Sequence, residues 1–348
     1  MVDLSESEKK ESINKPVFNL PSSNLVSAET RDAIKKISDY YTSEEYAEIL
    51  ASIPPIDNKT NLEDIRSIRN QQAEDFYASD PLYLDMKSRY RVSVHPESIA
   101  GVYTEIFIPV DGVSQINSQR VLINLHGGSF TAGSRTSSHL ESMPIAALGK
   151  IKVVSVDYSM APECEFPAAS EDVTEVYKAL LRDYEPENIG IYGYSAGGLL
   201  TAQSIAWFQK EKLPLPGAVA MSCGAAHFWM DGFSGSIHGA INDFDLSLFG
   251  VRGTEYFRSL ADLKNPLAFP GFDSTIMANF PPSLLITSTQ DFSLSSVVRT
   301  HSQLVTLGVE ADLHVWEGVD HSFLCNACLP ESREASAAIV SFFDKHLK

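Results

Sequence analysis

The amino-acid sequence predicts an α/β protein with a mostly parallel central sheet and helices on both faces. Two observations carry this. Short apolar runs recur along the chain: Val121 to Leu125, Val153 to Val156, Ile189 to Tyr192, Ala218 to Ser222, Leu284 to Thr287 and Leu313 to Trp316. Most are nearly continuous rather than alternating, as expected of strands buried on both faces, and helix-period segments separate them. At 348 residues the chain is also long enough for one large domain with a subdomain.

Residues 1 to 28 are polar and read as an N-terminal arm. Residues 29 to 77 carry short amphipathic helices, one with Ala33, Ile34 and Ile37 and one with Tyr46, Ile49 and Leu50, broken by Ile53-Pro54-Pro55-Ile56. They are too short to stand alone and read as a helical cap. Residues 78 to 348 form the main domain. It opens with two strands of period two, Arg89 to Val94 and Val102 to Ile108, expected to pair antiparallel at an edge. A helix follows with Val173, Val176, Tyr177 and Leu180 on one face, Ser170 as its expected N-cap, and Glu171 and Asp172 in its first turn. The C-terminal helix presents Ile339, Phe342 and Phe343.

Residues of about 225 to 280 are too many for a simple βα connection. Phe228, Trp229, Phe233, Phe244, Phe249, Tyr256 and Phe257 alternate there with glycines, either as a lid walling a pocket or as the insertion's own small core.

The strongest chemical signal is Gly193-Tyr194-Ser195-Ala196-Gly197, between a strand and a helix. A serine flanked by glycines at a sharp strand-to-helix turn is held with its hydroxyl exposed at the carboxyl edge of the sheet. Val121 to Leu125 leads into His126-Gly127-Gly128-Ser129-Phe130, a turn whose amides are unobstructed. Gly127 and Gly128, with Ala196, are the expected donors to an oxyanion. A serine hydroxyl needs a base, and His321 is the candidate among nine histidines: it follows a strand and the expected turn Glu317-Gly318-Val319-Asp320, and comes last in chain order. His126 is read as bracing the glycine loop and His314 as a side chain on an alternating strand. The acid that orients the base is expected to be Asp291, at the end of the strand Ser283 to Thr287 and before a helix with Leu294, Val297, Val298, His301, Leu304 and Val305. Asp320 and Glu317 are its rivals.

Several motifs together resemble the hormone-sensitive-lipase-like branch of the α/β-hydrolase esterases. They are His126-Gly127-Gly128, Asp157-Tyr158-Ser159-Met160-Ala161-Pro162-Glu163 with Phe166-Pro167-Ala168-Ala169, Gly193 to Gly198, Asn265-Pro266-Leu267-Ala268, Phe280-Pro281-Pro282, Asp291 and His321. The match runs from about Ser88 to the C-terminus. The resemblance implies an α/β-hydrolase fold and hydrolysis of carboxylic esters by a Ser-Asp-His triad, with no metal and no cofactor. Two positions depart from the pattern: Ser129 replaces a third glycine, and Tyr194 replaces the usual acidic residue before the nucleophile.

A net charge of −18, from 45 acidic and 27 basic residues, argues against nucleic acid and anionic membranes as partners. No segment has the roughly 18 consecutive apolar residues of a membrane span. The first residues have neither the basic start nor the apolar stretch of a signal peptide, and a cytoplasmic location is expected. Cys325 and Cys328 form a C-x-x-C with no second pair, a poor zinc site. Cys164 and Cys223 look like ordinary buried positions. The sequence therefore predicts a serine carboxylesterase for small to medium, uncharged esters, with a homodimer compatible. A lactonase or amidase with the same triad, or a non-catalytic ligand receptor on the same fold, are the alternatives.

Overall fold

The computed structural model describes residues 23–56, 59–228, 232–241, 256–257 and 264–348. Most of the predicted arm lies outside these residues, as do Trp229, Phe244 and Phe249.

Among the described residues four helices precede the sheet: α1 (Ala28–Tyr41), α2 (Glu44–Ser52), α3 (Leu62–Ser79) and α4 (Pro81–Arg89). Side-chain caps start three of them. Ser27 accepts the Thr30 N–H, Asn61 accepts that of Asp64, and Asp80 accepts those of Leu82 and Tyr83, with Pro81 in the first turn of α4. The periodicity of the sequence marked α1 and α2. It missed the extent of α3, at 18 residues the longest of the four, whose apolar stripe is weak and buries only Ile65 and Ala73. Arg69 of α3 fastens it to the main domain through an ion pair with Glu163 and a 3.0 Å hydrogen bond to the Ala161 carbonyl.

Among the described residues eight strands form one sheet: β1 (Val92–Ile99), β2 (Val102–Pro109), β3 (Val121–Leu125), β4 (Lys152–Val156), β5 (Ile189–Tyr194), β6 (Ala218–Ser222), β7 (Ser283–Gln290) and β8 (Ala311–Asp320). Their order is β1-β2-β4-β3-β5-β6-β7-β8. β1 and β2 pair antiparallel, β2 pairs antiparallel with β4, and the remaining pairs are parallel. The first strand lies further along the chain than expected, because Arg89 finishes α4, while the second starts at Val102 as expected, after a turn at Ala100 and Gly101, both at positive φ.

Helices α5 (Ser137–Gly149), α6 (Ala168–Leu180), α7 (Ala196–Glu211), α8 (Phe233–Ile241), α9 (Leu294–Thr306) and α10 (Pro330–His346) complete the described frame that positions the site. Two apolar clusters separate by sheet face, one with Ile123, Val154, Ile191 and Val219, the other with Leu122, Val153, Tyr192 and Ala220. Successive strand residues thus point to opposite clusters, as a sheet buried on both faces requires.

Two local expectations fail. Ser170 is not an N-cap: α6 begins at Ala168, and the Ala169 N–H is accepted by the Tyr256 hydroxyl at 2.8 Å, so a distant residue does the capping. Glu317 to Asp320 is not a free turn but the end of β8, which pairs with β7 through a register shift between Ser288 and Gln290. Two described aromatics of the insertion join the main core. Tyr256 and Phe257 are fully buried in the main core, Tyr256 stacked on Phe130 at 4.6 Å.

Candidate active site

β5 ends at Tyr194 and α7 starts at Ala196, which leaves Ser195 alone at the corner. Its backbone takes φ 79° and ψ −108°, a conformation L-residues avoid and hold only when the surroundings enforce it. The flanking glycines enforce it here. A Cβ on Gly197 would stand 1.7 Å from the Leu125 carbonyl oxygen, and one on Gly193 would stand 2.1 Å from that of Gly197. The Ser195 N–H is held by the Ser222 carbonyl at 2.8 Å, which fixes the corner to β6.

The Ser195 hydroxyl lies 2.8 Å from His321 Nε2, and His321 Nδ1 lies 2.7 Å from Asp291 Oδ1. The three predicted residues are therefore one hydrogen-bonded row. Asp291 is buried, and its carboxylate is fully occupied: Oδ1 also accepts the Ser293 N–H at 2.8 Å, and Oδ2 accepts the hydroxyls of Thr287 and Ser293, both at 2.7 Å. Burial opposes ionisation of this carboxyl. The His321 charge and the hydrogen bonds from His321, Thr287 and Ser293 outweigh it and hold the group below the usual carboxylate range. The rival Asp320 uses its carboxylate on the Ser322 N–H, and Glu317 accepts from the Ser23 hydroxyl. The His321 ring stacks on Phe292 at 4.0 Å, and its carbonyl accepts the Tyr194 hydroxyl at 2.6 Å.

The glycine loop differs from expectation at one point. The Gly127 N–H is not free, because it donates to Glu141 Oε1 at 2.8 Å. Among the described residues the amides of Gly128 and Ser129 have no protein acceptor. The Ala196 N–H, at the first position of α7, has none within the helix. His126 braces the loop as expected: its Nδ1–H donates to the Gly127 carbonyl at 2.7 Å and its ring stacks on Tyr158 at 4.3 Å. His314 is exposed on β8 and stacks on Trp316.

Cys223, Asp291 and His321 offer ligand atoms within 4.8 Å of one another, the one such group among the described residues. Its chemistry suits hydrogen bonding rather than a metal. Burial, then the neighbouring Asp291, pushes the Cys223 thiol well above its ordinary range, whereas a metal ligand must be a thiolate. Cys325 and Cys328 are free thiols and join no such group.

A cavity of about 890 Å³ lies between the N-terminal helices and this region. Tyr41, Tyr46 and Ile49 line it from α1 and α2, Phe76 from α3, and Thr131, Tyr194 and Phe323 from the main domain. Phe292, Ser293, Thr287 and Glu141 were not singled out by the sequence. Of these only Ser293 left a local trace, since Asp-x-Ser before a helix is a common self-bonding turn.

Residues 122–325 match the family described as alpha/beta hydrolase fold. A protein named esterase from Acinetobacter venetianus is 26% identical over 259 residues, covering 72% of this chain and 82% of that protein. One named acetyl-hydrolase from Streptomyces hygroscopicus is 26% identical over 222 residues, covering 62% and 72%. A crystal structure of an esterase superposes with a TM-score of 0.71 at 30% identity, over 88% of this chain and 95% of its own. The chain belongs to the alpha/beta hydrolase fold family, among its carboxylic ester hydrolases.

Proposed function

We propose that the chain is a serine carboxylesterase that turns over small to medium, uncharged esters through an acyl-enzyme. The observation that carries this is the row from Ser195 Oγ through His321 to a saturated, buried Asp291. In this reading His321 takes the Ser195 proton as the oxygen attacks the ester carbonyl, and Asp291 holds the Nδ1–H tautomer and stabilises the imidazolium. The developing oxyanion rests on the amides of Gly128, Ser129 and Ala196. Collapse expels the alcohol, protonated by His321. Water, deprotonated by the same ring, then releases the acid.

Residues 29–77 serve as a cap in this reading, and their tyrosines and isoleucines on the cavity set the acyl length. The relative named acetyl-hydrolase supports the short end of the range. No helix among the described residues is long and apolar enough to cross a membrane. Four free thiols and an acidic surface suit a reducing, aqueous compartment, which supports a cytoplasmic location.

The test is a series of p-nitrophenyl esters from acetate to long acyl chains, run with the wild type and Ser195→Ala. Turnover with an optimum at short or medium chains, abolished in Ser195→Ala, is expected. No ester turnover by folded wild type sinks the reading.

A further inference from the structure

Glu141 is a buried carboxyl on α5, 8% exposed, with no lysine, arginine or histidine paired to it among the described residues. Burial pushes its acid up to about 8, against the hydrogen bonds from Gly127 and Asn124. Such a group is costly to keep in a core. Its contacts show what it holds. Oε1 accepts the Gly127 N–H at 2.8 Å, Oε2 accepts Asn124 Nδ2 at 2.9 Å, and Asn124 Oδ1 accepts the Ser155 hydroxyl at 2.8 Å. A carboxamide and a hydroxyl can both reverse their roles, so this network closes whether Glu141 is protonated or not.

The peptide between His126 and Gly127 is held at both ends. Its carbonyl accepts the Tyr158 hydroxyl at 2.7 Å and its N–H donates to Glu141. Beyond it the chain runs through three consecutive positive φ angles, Gly128 at 118°, Ser129 at 57° and Phe130 at 59°. A run of this kind is strained at the two non-glycine residues and persists only when its surroundings over-determine it. The other polar atoms nearby are also committed: the Gly127 carbonyl to His126, and the Gly128 carbonyl to the amides of Thr131 and Ala132. The amides of Gly128 and Ser129 are what remains.

We infer that Glu141 is a positioning residue for ester hydrolysis: by holding the His126–Gly127 peptide it orients the Gly128 and Ser129 N–H groups towards the oxygen that becomes negative. The inference rests on the proposed esterase function. Glu141 touches no substrate in it. Its effect belongs to the transition state, since the oxyanion forms there and not in bound ester.

Three variants test it with p-nitrophenyl acetate. Glu141→Leu removes the acceptor at similar volume and is expected to lower kcat by about tenfold to a hundredfold with KM within about twofold, since misplacing oxyanion donors costs up to the 10²–10³ of losing one. Glu141→Gln keeps an oxygen for Gly127, and is expected to stay within about threefold of wild type. If Glu141→Leu does not fold, Tyr158→Phe releases the other end of the same peptide, and a fall in kcat of at least about threefold at unchanged KM is expected. The inference is overturned if folded Glu141→Leu, or in its place Tyr158→Phe, keeps wild-type kcat. It is overturned equally if Glu141→Gln loses as much as Glu141→Leu, or if KM rises in step with the fall in kcat. A wild type without ester turnover sinks the proposed function instead.

Discussion

Replacing Asp291 by asparagine separates the two services a triad acid performs, orientation and charge. Oδ1 faces two N–H donors, His321 Nδ1 and the Ser293 amide, while Oδ2 faces two hydroxyls. An asparagine can keep its oxygen towards the two N–H groups and place its NH₂ against Thr287 and Ser293, whose hydroxyls turn to accept. The His321 tautomer and ring position survive, and so does the fold. What disappears is the negative charge opposite the imidazolium of the transition state. Charge centres about 4 Å apart at an effective dielectric of about 20 interact by about 4 kcal/mol, or roughly a thousandfold in rate. Asp291→Asn should therefore lower kcat for p-nitrophenyl acetate about a thousandfold at unchanged circular dichroism. Asp291→Ala should lose at least as much and be less stable, because it strands one buried N–H and two hydroxyls. Asp320→Asn is the control, its carboxylate being used on Ser322, and should stay within about threefold. An Asp291→Asn enzyme within tenfold of wild type, or an Asp320→Asn enzyme weaker than it, refutes the assignment.

Glu141 also predicts a pH dependence of stability. Its acid moves from 4.5 to about 8 on folding, so across that interval the native state holds a proton that the unfolded state has released. Stability contributed by a proton held only in the native state falls as pH rises. The melting temperature of wild type should thus decline relative to Glu141→Gln between about pH 4.5 and 8, and a constant difference argues against it. Asp291 works in the opposite sense. Its acid lies below the usual carboxylate range when folded, so its contribution is present above about pH 4 and lost as pH falls through and below that range, visible as a steeper acid-melting curve in wild type than in Asp291→Asn. Tyr41→Ala enlarges the cavity beneath the N-terminal helices and should move the acyl optimum to longer chains, at about 1 to 3 kcal/mol per methylene-sized change; an unmoved profile removes α1 from selectivity. A fluorophosphonate should label Ser195 and stop turnover while chelators leave it intact, and activity lost to a chelator and restored by zinc would reopen the cysteines as ligands.

Much of the site was legible because backbone constraint writes itself locally. A corner at φ 79° leaves no room at Gly193 or Gly197, so the strained serine announces itself in five consecutive letters. Parallel strands announce themselves as short apolar or alternating runs, and the ends of two of them, one buried and one at the half-exposed edge, pointed to Asp291 and His321. The support was not legible, because it comes from contacts between distant residues. Glu141 lies 14 residues from the amide it accepts, inside a helix that is buried nearly all round and shows no apolar stripe to set the glutamate apart. The start of α6 was misplaced for the same reason, its capping oxygen arriving from Tyr256, 87 residues away. Gly127 was given the wrong task because a pair of glycines marks where amides can be open, not which of them another side chain has already taken.

His321 reaches Asp291 because of an irregularity that the sequence disguised as a turn. Down most of the β7–β8 ladder the partners stand 28 residues apart, from Ser283 with Ala311 to Ser288 with Trp316. With that offset, Asp291 would face Val319 and the histidine would lie two residues beyond it. After the register shift Gln290 pairs with Asp320, an offset of 30, and the next residues along are Asp291 and His321. The two extra residues are absorbed around Gly318, whose φ of 73° suits a bulge and whose N–H is taken by the Thr289 hydroxyl at 2.9 Å. The same glycine that made Glu317 to Asp320 read as a turn thus lets β8 lengthen relative to β7 without losing its pairing. An edge strand is where such a change costs least, since no further strand must follow it. His321 is set opposite Asp291 by the sheet itself, which is why a hydrogen bond between side chains 30 residues apart can be short and partly buried rather than left to a loop.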